Sequence, residues 1–139
     1  MITVTVMGEP VPQGSMKSVG SRRIIHSNAE KLRPWRDLVA WHLRQEAISA
    51  GLLEPWDEPV DVFCTFILPR PQSAPKRRWA PDRKPDIDKL LRAALDALTA
   101  SGVVADDARV VHVAMSKVYG LPGMTMSVSP AVRGEAVAA

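Results

Sequence analysis

The segment PDIDKLLRAALDALTASG, residues 85–102, constrains the fold of this chain more than any other stretch. Within it Ile87, Leu91, Ala94, Leu95 and Leu98 recur at the i, i+4, i+7, i+8, i+11 spacing of one helical face, which predicts a helix packed on a core. Leu90, Ala93 and Ala97 carry apolar surface further round the cylinder, so cover on a second side is expected, another subunit being one candidate. Gly102 is the expected stop, because glycine accepts the left-handed conformation in which helices commonly end.

Other elements arrange themselves around this helix. Residues 2–7, ITVTVM, alternate with period two and are rich in β-branched side chains, which predicts a strand ended by Gly8 and Pro10. The following stretch, PVPQGSMKSVGSRR, has the composition of an exposed loop and carries Lys17, Arg22 and Arg23, open to a solvated or a phosphate-contacting reading. From Ala29 to Ala50, Leu32, Trp35, Val39, Leu43 and Ala47 keep helical spacing, and Gly51 follows as a stop. Pro34 leaves two readings of that helix: it begins near the proline, or it is kinked there. Val60–Leu68 is an almost continuous apolar run, as expected of a strand inside a sheet, and Pro69 ends it. Val110–Val118 and Met124–Val128 read as two further strands joined by YGLPG.

These elements predict an α+β fold: one small domain over residues 1–129, with a mixed or antiparallel sheet of about four strands and two main helices, and a flexible tail over 130–139. A chain of 139 residues with 46% hydrophobic content suits one core. No apolar stretch approaches the roughly 20 residues of a membrane span, and the N-terminus has no signal-peptide pattern, so a cytoplasmic protein is expected. The single cysteine, Cys64, excludes an internal disulfide, and its apolar surroundings predict a buried, inert thiol. His42 lacks partners at ligand spacing apart from Glu46 and reads as a packing or surface residue.

Charge is distributed unevenly. The stretch Arg70–Lys84 has six basic residues (Arg70, Lys76, Arg77, Arg78, Arg83, Lys84) against one acid, Asp82, and it has no periodicity. A mobile basic loop that orders on a ligand is the expectation. From Pro85 to Asp107 the balance reverses, with five aspartates (Asp86, Asp88, Asp96, Asp106, Asp107) against Lys89 and Arg92. A basic arm beside an acidic cluster suits a protein that grips phosphates and holds a cation against them. Each feature has an ordinary alternative. Asp86 and Asp88 stand where helix caps stand, Asp106 and Asp107 where solvated turn residues stand, and Asp88, Arg92 and Asp96 can form an ion-pair stripe along one helix. There is no Ser/His/Asp arrangement, no phosphate-cradling glycine loop and no Cys/His metal spacing.

The stretch PDIDKLLRAALDALTASGVVADDARV resembles the signature of the RusA family of Holliday-junction resolvases: Asp-x-Asp, a cation one turn later, an Ala/Leu-rich helix with an internal Asp, then Gly-Val and an Asp-Asp entering a strand. The resemblance is close over residues 85–118. It implies that Asp86, Asp88 and Asp107 bind a catalytic Mg²⁺, with Asp107 preferred to Asp106 because the second aspartate of the pair matches the family's catalytic one. It also implies a homodimer that recognises four-way DNA junctions and cuts two strands symmetrically. The family's Asn after the second aspartate is Lys89 here, and its Lys one turn later is Arg92, whose planar fork suits a phosphate or transition-state clamp better than proton transfer. Lys117 matches the family's lysine in the strand after Asp-Asp, and Lys17 its basic residues after the first strand. The expected DNA contacts are Lys17, Arg22, Arg23, Lys76, Arg77, Arg78, Lys84, Lys89 and Lys117. Two other readings are a junction-binding protein without catalysis, in which Lys89 and Arg92 neutralise the carboxylates, and an interaction module whose alanine-rich helix docks a partner.

Overall fold

The structure is a computed structural model that describes residues 1–14 and 22–134, without the side chains of residues 22–29. Its elements run β1 (Ile2–Met7), α1 (Arg22–Ser49), β2 (Val60–Leu68), α2 (Ile87–Ser101), a 3-10 turn (Asp107–Arg109), β3 (Val110–Tyr119) and β4 (Gly123–Pro130). The strands form one mixed sheet in the order β1-β4-β2-β3, as the α+β reading expects. β4 pairs antiparallel with both β1 and β2, whereas β3 lies parallel to β2. A parallel neighbour cannot be reached by a tight turn, and α2 is the crossover that carries the chain from β2 to β3.

Period-two patterning decides which side of the sheet is covered. Register aligns Ile2, Val128 and Val62 in one row, Val4, Met126 and Cys64 in the next, and Val6, Met124 and Phe66 in a third, and all nine are buried. Thr3, Ser127 and Phe63 form the first row of the opposite face, where Thr3 and Ser127 share a hydroxyl hydrogen bond of 3.0 Å. β4 approaches β1 so closely at Gly123 that an added Cβ would stand 2.8 Å from the Val6 carbonyl oxygen.

α1 buries Trp35, Val39, Leu43 and Ala47, as its spacing predicts. It differs from expectation at its start. The helix already runs at Arg22 and continues through Pro34, so Arg22 and Arg23 belong to its first turn and not to the preceding loop. Proline removes one helical hydrogen bond, that to the carbonyl of Glu30, and both Pro34 and Glu30 lie on the exposed side, where water can replace the missing donor.

α2 ends at Gly102, whose φ of 80° is left-handed and whose N–H bonds to Thr99. Its buried face is rotated from the expected one, keeping Ala94 and Leu98 but not the other three residues. Leu90, Ala93, Ala94, Ala97, Leu98 and Ser101 are buried inside this chain, while Ile87, Leu91 and Leu95 are only partly covered. The surface at Leu90, Ala93 and Ala97 that suggested a second subunit is therefore taken up by the chain's own core. β4 extends through Pro130, and the Ala131 N–H still bonds to the Pro59 carbonyl. Residues 135–139 of the expected tail lie outside the described residues. Among the described residues no helix is long and apolar enough to cross a membrane.

Candidate active site

Asp86 is the residue before the first turn of α2, with extended backbone (φ −68°, ψ 141°), but its carboxylate makes no capping hydrogen bond. That leaves the side chain free of the cap role, and it stands 3.8 Å from the Lys89 ammonium instead. Asp88, one residue into the helix, points elsewhere. With Leu91, Arg92, Leu95 and Asp96 it lines an open cleft of about 280 Å³ on the flank of α2, and the side chain that closes this cleft from outside the helix is Asp107.

Asp107 reaches α2 because the chain reverses after Gly102. Trp56, between α1 and β2, pairs in parallel with Val104: its N–H bonds to the Val103 carbonyl at 2.9 Å, and the Ala105 N–H bonds to the Trp56 carbonyl at 3.0 Å. The next turn is then held by Arg109, whose Nε and Nη2 both approach Asp57 Oδ1, at 2.7 and 2.6 Å. Two anchors on one short segment thus set Asp107 against a helix that begins twenty residues earlier.

The cleft is electrostatically loaded. Asp107 holds its proton above the ordinary carboxylate range, chiefly because it shares a hydrogen bond with Asp106, then through desolvation and the negative charges of Asp106 and Asp96; the Ala108 N–H acts in the opposite sense. A site that raises a carboxylate's pKa by crowding negative charge is one where a bound cation would be stabilised. Among the described residues no three His, Cys, Asp or Glu side chains stand together as a preformed metal cage. The two carboxylates facing the cleft, Asp88 and Asp107, are oxygen donors of the kind a hard divalent cation takes, and Mg²⁺ commonly uses only one or two carboxylates with water and substrate phosphate.

The ion-pair stripe that was the ordinary alternative for Asp88, Arg92 and Asp96 does not form among the described residues. Asp96 pairs with Arg36 of α1 at 3.4 Å, and that guanidinium also lies 3.4 Å from the Gln13 amide oxygen. Arg92 is exposed and has no ion pair among the described residues. Arg36 escaped the sequence reading, since nothing in α1's pattern announces a partner sixty residues away; Asp96 was visible on the stripe of Asp88 and Arg92.

The expected DNA-contacting residues divide into spent and unspent charges. Lys76, Arg77 and Lys84 are exposed and make no ion pair among the described residues. Arg78 is half-buried and pairs with Asp82 at 3.5 Å. Lys117 donates to the carbonyls of Arg83 and Pro85, each at 2.8 Å, and Lys89 pairs with Asp86. Lys17 and the side chains of Arg22 and Arg23 lie outside the described residues.

Residues 7–129 match the family described as Endodeoxyribonuclease RusA. The chain belongs to the RusA family. The match begins at the last residue of β1 and runs into the end of β4, so the shared unit includes the Asp88/Asp107 cleft, the basic loop, both helices and strands β2, β3 and nearly all of β4. A relative from Bacillus subtilis (strain 168), the uncharacterized protein YqaN, is 30% identical in an alignment of 132 residues that covers 85% of this chain and 87% of that protein. RusA membership makes this chain an endodeoxyribonuclease by family, of the Holliday-junction resolvase type.

Proposed function

We propose that this chain is a Mg²⁺-dependent, structure-specific endonuclease that resolves four-way DNA junctions by paired phosphodiester hydrolysis, in DNA recombination and repair, and that it acts as a homodimer. The observation that carries the reading is the convergence of Asp88 and Asp107 on one cleft that Arg92 also lines. Asp88 and Asp107 would hold the metal, with Asp86 contributing from the helix start. A Mg²⁺ ion bound there supplies charge neutralisation at the scissile phosphate and an activated water at neutral pH. The chain's own residues do the rest. Arg92, exposed at the cleft, offers its fork to the phosphate oxygens as charge develops. Leu91 and Leu95, partly buried on the same wall, keep an apolar surface beside the carboxylates and so strengthen every charge interaction there. Lys76, Arg77 and Lys84 would bind flanking phosphates without reading sequence. Arg78, Lys89 and Lys117, already engaged within the chain, would act by holding the loop and the helix start.

Two-fold symmetry supports the homodimer, because a nearly symmetric junction must be cut on two opposed strands. The Asp86–Lys89 pair favours a second reading, a junction-binding protein with neutralised carboxylates and no cleavage. Asp88→Asn separates the two. Asp88 lies inside the first turn of α2 and is not its cap, and Asn is nearly isosteric with it, so fold and metal-free junction binding should persist, while cleavage of a synthetic four-way junction in Mg²⁺ should fall by about two orders of magnitude or more. Parental cutting by Asp88→Asn would remove Asp88 from the metal site. A parent protein that binds the junction but cuts it under no metal would leave the binding reading.

A further inference from the structure

Trp79 is 87% exposed, and among the described residues only Leu53 and Val132 are large apolar side chains more open to water. Trp35, by contrast, is buried in the core. Trp79 lies in the basic loop between β2 and α2, which sequence alone suggests is mobile and without structure. That loop is tied at several points. Arg70 donates through Nη1 to the Arg78 carbonyl and through Nη2 to the Pro75 carbonyl at 2.8 Å, with its guanidinium over the Tyr119 ring at 5.3 Å. The Arg78 N–H bonds to the Pro75 carbonyl at 2.9 Å, and the Asp82 N–H to the Ala80 carbonyl at 2.9 Å. Lys117 holds the far side of the loop at Arg83. The carbonyl immediately before Trp79 is thus clamped, and the indole is presented to water from a braced backbone.

Its neighbours select the partner. Lys76, Arg77, Arg83 and Lys84 are exposed around it, so the loop attracts an anion, and the flat indole offers a π-face. An anionic polymer that also carries flat π-systems is a nucleic acid. In an intact duplex both faces of each base are stacked on neighbours, and a free face is exposed only at an end, a single strand or a branch point. The same loop runs directly into Asp86 and Asp88, so whatever Trp79 touches lies on DNA close to the cleft. We propose that Trp79 stacks on an unpaired nucleobase at the DNA branch point, and that this contact makes the protein favour junctions over duplex. The role at a branch point rests on the endonuclease reading; stacking on an unpaired base does not.

The test uses the full chain without divalent metal, with Trp79→Ala and Trp79→Phe. Trp79→Ala should bind a synthetic four-way junction about ten-fold or more weakly and a matching duplex within about two-fold of the parent, and Trp79→Phe should recover most of the loss. A Trp79→Ala protein that binds both DNAs as the parent does, or that loses equally on both, overturns the proposal. So does a fall in mass by light scattering on Trp79→Ala, which would make the indole a contact to a second copy. An oligo-dT of about 20 nucleotides supplies unpaired bases independently of any junction. It should quench parental tryptophan fluorescence and leave that of Trp79→Phe less affected, and equal quenching overturns stacking. Quenching by oligo-dT in a protein that neither prefers nor cuts junctions would sustain the stacking and sink the endonuclease reading.

Discussion

Replacing Lys117 by methionine tests how the strand beside the site is coupled to the helix that carries it. Register places Lys117 at the open end of the row Val6, Met124, Phe66, on the face of the sheet that the helices cover. A charge there would be expensive without partners. It finds two, the carbonyls of Arg83 and Pro85 at 2.8 Å each, immediately before Asp86. A hydrogen bond to a charged group contributes about 1.5–3 kcal/mol, and partial exposure of this pair places each near the bottom of that range. Ordering a lysine side chain costs about 1.5–2 kcal/mol in return. The net loss expected on Lys117→Met, which keeps the apolar stem, is therefore about 1–2 kcal/mol. With a urea m-value of about 2 kcal/mol/M, the unfolding midpoint should fall by about 0.5–1 M. Junction cleavage should fall further than stability alone explains, because Asp86 loses its support, while metal-free duplex binding should stay near parental, since this amine is already committed to carbonyls. Unchanged urea stability together with lost duplex binding would refute the argument and return Lys117 to the DNA-facing surface.

Burial pushes the Cys64 thiol from 9.0 up to about 12. A folded pKa raised above the unfolded one contributes stability that is complete below about pH 9 and is lost as pH rises towards 12, at about 1.4 kcal/mol per pH unit. Urea midpoints of the parent between pH 8.5 and 10.5 should therefore drop more steeply than those of Cys64→Ala, and matching slopes would show that the thiol ionises without unfolding. For Asp107 the sign is also that of a raised group: its contribution is present at acid pH and is lost as it ionises, because the hydrogen bond with Asp106, desolvation and the charges of Asp106 and Asp96 oppose ionisation. Asp106→Asn removes the shared proton and the nearest negative charge, and the carboxyl ¹³C titration of Asp107 should move to lower pH in the metal-free protein. No movement would mean that Asp106 does not set it.

Local patterning was sufficient wherever one segment's own chemistry decided the outcome. The alternation in ITVTVM, the apolar run of Val60–Leu68 and the glycine after Ser101 each dictated an element that the structure contains, because backbone periodicity and conformational freedom are properties of a few adjacent residues. The motif from Pro85 to Val110 was legible in the same way, and it carried the family. Tertiary structure decided what depends on residues distant in sequence. α2 is apolar around most of its circumference, so its pattern admitted two buried faces, and packing against α1 and the rest of the core chose the one that carries Ala93, Ala94 and Ala97, leaving Leu91 and Leu95 to the cleft. Pro34 could be judged only once the core had placed it on the solvent side of α1. The meeting of Asp88 with Asp107 needed the chain reversal held by Trp56 and Arg109, and the partners of Asp96 and Lys117 lie on other elements altogether. A charge reveals its sign in the sequence, but whether it is spent on a carbonyl, paired with an acid or left free for a phosphate is settled by which segments folding brings within about 4 Å of it.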